Sequence, residues 1–98
     1  MNKNKNYQTK SAVSLQYKKE VSSAPKVTAN GQGWVAEAII KMARERNIPI
    51  REDKDLLNLL SEIDIGREVP ESLYKVVAEL LAWVYQLNKN YSDSHKPK

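Results

Sequence analysis

Ala12-Val13-Ser14-Leu15-Gln16-Tyr17 alternates apolar and polar residues, and its reading decides the fold. A period of two makes it a β-strand with Val13, Leu15 and Tyr17 on one face. Only Met1–Lys10, rich in lysine and asparagine, precedes it. That head carries one aromatic, Tyr7, and little else to bury, so residues 1–10 are expected to be a disordered polar tail. A unit built on this strand is expected to start one strand late. Any chemistry at its front edge would have to come from Met1–Lys10.

Working outward, Pro25–Ala29 reads as a second short strand, with proline tolerated at its start because the missing N–H need not enter the ladder there. Asn30-Gly31-Gln32-Gly33 is a turn feeding a helix from about Trp34 to Arg46. Val35, Ile39, Met42 and Ala43 share one stripe of that helix, which Ala36 and Ile40 widen. Asn47 is placed to stop it, since asparagine tolerates the left-handed conformation after a last turn. Ile48-Pro49-Ile50-Arg51 then reads as a short buried strand. A strand, helix and strand joined this tightly predict a right-handed parallel crossover.

Asp53 is suited to cap the next helix, whose apolar stripe is Leu56, Leu57, Leu60 and Ile63. Gly66 breaks the chain, and Pro70 fits the first turn of a last helix, Pro70–Leu87. There Leu73, Val77, Leu80, Val84 and Leu87 recur at steps of three and four. Residues 89–98 return to the polar composition of the head and are expected to be a disordered tail. The expected fold is α/β: a small mixed sheet of about three strands flanked by about three helices, within one domain over 11–88.

Composition narrows the function. A chain of 98 residues is one small domain with a modest core. With no cysteine, disulfides and thiolate metal sites are excluded. No apolar run approaches the roughly 20 residues of a membrane helix, so direct membrane insertion is not expected, and a cytoplasmic location is. The net charge of +4 does not mark a nucleic-acid binder. Lys3, Lys5 and Lys10 lie in the head, and Lys89, Lys96 and Lys98 lie in the tail with Asp93. Between Ser11 and Asn88, 10 basic residues face 11 acidic ones. Phosphate binding needs basic groups gathered on one surface.

Candidate chemistry is thin. His95, the single histidine, sits in the polar tail, whereas general acid–base work needs a positioned group in a protected site. Glu52, Asp53 and Asp55 fit a capped helix start better than a metal site, which needs several converging oxygens. Asn30-Gly31-Gln32-Gly33 lacks the full pattern of a phosphate cradle. No serine has a neighbouring histidine base. Trp34, Tyr74, Trp83 and Tyr85 lie near helical stripes. Most are expected in the core, with one or two left for a binding patch. No enzyme, metal or cofactor is expected.

Taken in order, Ala12–Tyr17, Ala24-Pro25-Lys26-Val27-Thr28-Ala29-Asn30-Gly31, Ile48-Pro49-Ile50, Leu56, Leu60, Ile65-Gly66-Arg67-Glu68-Val69-Pro70-Glu71-Ser72-Leu73-Tyr74 and Val77–Leu87 resemble the cytoplasmic domain of the FlhB/YscU family. That family is the substrate-specificity switch of flagellar and virulence type III secretion. Each piece is short; the ordered set at nearly constant spacing carries the resemblance, over about Ser11 to Leu87. Family members are membrane proteins whose cytoplasmic domain cuts itself between Asn and Pro of an Asn-Pro-Thr-His loop. The cut precedes the strand matched here by Ala12–Tyr17. Without gaps, those four positions fall on Tyr7, Gln8, Thr9 and Lys10, and only the threonine survives. A tyrosine cannot cyclise as an asparagine amide does. The resemblance thus implies a non-cleaving homologue of the C-terminal cleavage product, without the membrane portion.

The resemblance further implies a shallow apolar pocket for a short export signal, at Ala24, Pro25, Ala78 and Leu81. Ala78 and Leu81 fit plain helix packing equally well. The family's usual lysine after Val-x-Ala is Asn30 here, and its Pro-Pro before the second helix is Lys54-Asp55. The implied role is a non-enzymatic accessory of flagellar or type III export that binds export substrates or the export gate. The rival is a structural subunit that pairs its unfilled strand edge with a partner's strand in trans, or self-associates.

Overall fold

The structure, a computed structural model, describes the backbone of residues 10–21 and 24–94, and side chains of these up to residue 89. Tyr7, Gln8 and Thr9 lie outside the described residues, as does His95. Two strands, β1 (Ser11–Gln16) and β2 (Lys26–Gln32), form an antiparallel ladder. Helices α1 (Trp34–Glu45) and α2 (Lys54–Leu60) follow, then a 3-10 turn at Glu71–Leu73 and helix α3 (Tyr74–Ser94). The mixed α/β class expected from the sequence holds.

The ladder slips between Ser14 and Leu15, where Ser14 faces Ala29 and Leu15 faces Val27. Thr28 is the extra residue of this bulge, and its hydroxyl lies 2.8 Å from that of Ser14. Val13 and Leu15 pack on a core cluster of Leu56, Leu60, Val69 and Val77. Val27 and Ala36 are fully enclosed as well.

The turn after α1 follows the sequence closely. Asn47 adopts φ 57°, its N–H bonds to the Arg44 carbonyl at 3.2 Å, and the Ile48 N–H reaches back to Ala43 at 2.9 Å. This pair of bonds satisfies carbonyls the helix end leaves open. It also overturns the third strand. With the Ile48 N–H engaged and Pro49 lacking one, two successive residues have nothing to donate to a ladder. Ile48–Arg51 joins no sheet, and the parallel crossover does not form.

A different segment takes up part of the outer edge of β2. Gly66, at φ 93°, turns the chain so that Gly66 N–H bonds to Val27 at 2.7 Å, Val27 N–H to Arg67 at 2.9 Å and Val69 N–H to Pro25 at 2.8 Å. Lys26 and Glu68 form a single antiparallel bridge. Asp53 caps α2 as expected, its carboxylate accepting from the Leu56 N–H at 3.1 Å. Pro70 is extended and precedes the 3-10 turn, so α3 begins at Tyr74, and it runs past the expected end at Leu87 to Ser94.

Two burial expectations fail. Of the four aromatics placed near helical stripes, none is buried: Trp34 is 74% exposed and Tyr85 67%, Tyr74 is exposed, and Trp83 is half-buried with the Arg51 guanidinium 5.4 Å from its ring centre. The small interior is filled by aliphatic side chains. On α1, Ala36 is the enclosed residue, with Ile39, Ile40 and Ala43 half-buried, while Val35 and Met42 are exposed. A sheet of two strands is too narrow to cover the whole apolar face of this helix.

Candidate functional site

Ala24 is 2% exposed and Pro25 is buried, held where the Pro25 carbonyl accepts from Val69. Val69 belongs to the core cluster with Val77 and directly precedes Pro70 and the turn into α3. Ala24 and Pro25 are thereby tied to the base of α3. Ala78, next to Val77, is exposed, and Leu81 is half-buried against the core cluster. A groove of about 180 Å³ lies elsewhere, between Arg51, Asp55 and Leu59 on one side and Val76, Glu79 and Leu80 of α3 on the other.

Around Ala78 and Leu81 the helix shows a broader surface. Tyr74, Ala78, Leu81, Ala82 and Tyr85 recur at steps of three and four, so they share one face of α3. All but Leu81 are exposed, and Leu81 is half-exposed. Tyr74, Ala82 and Tyr85 were not among the pocket residues read from the sequence, although their spacing from Ala78 was there to find. Exposed Lys75 and Lys89, three residues before Ala78 and four after Tyr85, border this face with positive charge.

Lys10, at the last position of the degenerate cleavage motif, is exposed and paired with Glu37 at 2.9 Å, while its carbonyl accepts from the Gly33 N–H. Among the described residues no His, Cys, Asp and Glu group is arranged to hold a metal, and no helix is long and apolar enough to cross a membrane.

Comparison with known proteins places this arrangement. A model of the FlhB HrpN YscU SpaS family matches residues 8–84. The chain belongs to this family. Within it, protein YlqH of Bacillus subtilis (strain 168) is 39% identical over 79 residues, covering 81% of the chain and 85% of YlqH. The flagellar biosynthetic protein FlhB of Yersinia enterocolitica is 46% identical over 79 residues, 80% of the chain but 21% of that protein. The chain thus spans a small part of the flagellar relatives it matches. The crystal structure of the cytoplasmic domain of FlhB from Shewanella putrefaciens superposes with a TM-score of 0.80 at 34% identity, over 90% of the chain and 70% of that domain. Family membership and this likeness support a role in protein export.

Proposed function

We propose that this chain is a non-enzymatic accessory of flagellar or type III protein export, a switch-domain homologue that binds export substrates or a component of the export gate. The observation that carries this reading is the face of α3 at Tyr74, Ala78, Leu81, Ala82 and Tyr85, open to solvent and bordered by Lys75 and Lys89, on a helix anchored through Val69 to Ala24 and Pro25. Large apolar groups left outside mark contact surfaces. Absence of catalysis is supported by Tyr7, Gln8 and Lys10 at three of the four cleavage-motif positions.

Peptides carrying the signals of early export substrates are the ligands to titrate against the full chain. Ala78→Asp places a charge on an exposed position, and Leu81→Asp does so on a half-buried one. Each is expected to weaken binding by about tenfold or more, because a carboxylate must then be desolvated against an apolar peptide. Equal binding by wild type and variants, or none by any, removes this assignment.

A further inference from the structure

Two demands of the fold meet at Asn30 and Gly31. The Asn30 side-chain amide donates to the Ser61 carbonyl at 2.8 Å and to the Ile63 carbonyl at 3.4 Å. Ser61 closes α2 and Ile63 packs on the core cluster, so this amide ties the end of α2 to β2. Both partners are acceptors, and only a donor satisfies them. The next position admits no side chain, because a Cβ on Gly31 would collide with Val35. Asparagine for the clamp and glycine for the seat of α1 together put an Asn-Gly pair into a strand.

That pair carries its own chemistry. The Gly31 backbone nitrogen can attack the side-chain carbonyl carbon of Asn30, and a residue without Cβ leaves the approach open and the backbone free to turn. A C–N bond closes a succinimide ring, the Gly31 nitrogen gives up its proton, and the side-chain nitrogen leaves as ammonia. Water then opens the ring at either carbonyl. The product is aspartate, or isoaspartate, whose main chain runs through the former side chain.

The closed fold keeps the two reacting groups apart. Lys10 and Gly33 are hydrogen-bonded in the ladder, so Ala12 and Gly31 form the next bonded pair and β1 engages the Gly31 N–H. The Asn30 amide is meanwhile held on α2. Ring closure needs the nitrogen out of the ladder and the side chain off the helix. In the product a carboxylate faces the Ser61 and Ile63 carbonyls and offers them no proton. Isoaspartate also lengthens the strand and disturbs its register.

We propose that Asn30 is a modification site gated by the fold: it converts to aspartate or isoaspartate when the β1–β2 ladder opens, and the conversion leaves α2 unclamped. An opening of the ladder is thereby recorded as a covalent change. The proposal is independent of the α3 face.

The test incubates the full chain at mildly alkaline pH, folded in buffer or unfolded in guanidinium chloride, and follows each asparagine by peptide mapping and mass spectrometry. The unfolded chain is expected to convert at Asn30 before Asn47 and Asn58, whose next residues, Ile48 and Leu59, crowd the attacking nitrogen. Folding is expected to slow the Asn30 conversion by about tenfold or more. Leu60→Ala, which weakens the core away from the pair, is expected to raise the rate in buffer by about tenfold. Asn30→Asp is expected to lower the folded-to-unfolded ratio by about tenfold or more. Asn58→Asp, at an exposed position on α2, should change it by no more than about fivefold. Equal rates at Asn30 in the folded and unfolded chain, or no preference for Asn30 once unfolded, overturns the proposal. So does an unmoved rate in Leu60→Ala, or an Asn30→Asp chain as stable as Asn58→Asp.

Discussion

Gly31 and Val35 meet with no side chain between them: a Cβ placed on Gly31 would lie 2.7 Å from the Cβ of Val35. The contact seats α1 on the strand that leads into it. Gly31→Ala is therefore expected to push the helix off β2 and cost about 1–3 kcal/mol, read from urea denaturation. Val35→Ala in the same chain should recover part of that loss, and simple additivity of the two changes would refute the contact. Gly66→Ala makes a contrast. Nothing lies within 4 Å of its added Cβ, but φ 93° penalises any side chain, by about 1–2 kcal/mol.

Asp53 holds the start of α2 through the Leu56 amide. Asp53→Ala is expected to lower stability by about 1 kcal/mol, and Asp53→Ser to keep most of it, since serine also caps. A thermal melt in which both variants match wild type would show that the cap contributes nothing measurable.

Leu60 and Tyr85 should respond in opposite ways to truncation. Leu60 is buried in the core cluster, so Leu60→Ala is expected to cost about 2–5 kcal/mol. Tyr85 is largely exposed, and Tyr85→Ala should stay within about 0.5 kcal/mol. If Tyr85→Ala proved the more damaging in denaturant, the placement of the α3 face would be wrong.

The degenerate motif predicts an intact chain. Mass spectrometry of the purified protein is expected to give one species of 11.2 kDa even after prolonged incubation. A pair of fragments meeting near Gln8 would contradict it. The exposed Lys10–Glu37 pair should matter little to stability, and Lys10→Ala should shift it by no more than about 0.5 kcal/mol in a denaturant series.

What the sequence makes legible is what is decided locally. The alternation at Ala12–Tyr17, the stop at Asn47 and the cap at Asp53 each depend on a few neighbouring residues, and each is where it was expected. Ile48–Arg51 had the composition of a strand, but composition does not reveal that the Ile48 N–H is engaged by Ala43. The Arg67–Val69 segment that borders β2 instead holds two charged side chains and gave no strand pattern. Val35 and Met42 sit in the right period for burial and stay exposed because no further layer covers them. At the candidate site, the family resemblance supplied Ala24, Pro25, Ala78 and Leu81. It could not show that the first two are enclosed while Ala78 stands on an open helix face with Tyr74, Ala82 and Tyr85.

The unequal settings of the two indoles give the molecule a pair of optical probes. Trp34 lies in solvent at the start of α1, and Trp83 lies half-covered beneath Arg51 on α3. A soluble quencher will reach the first far more readily than the second. Emission resolved by quenching can then report separately on a ligand at either helix, without any label.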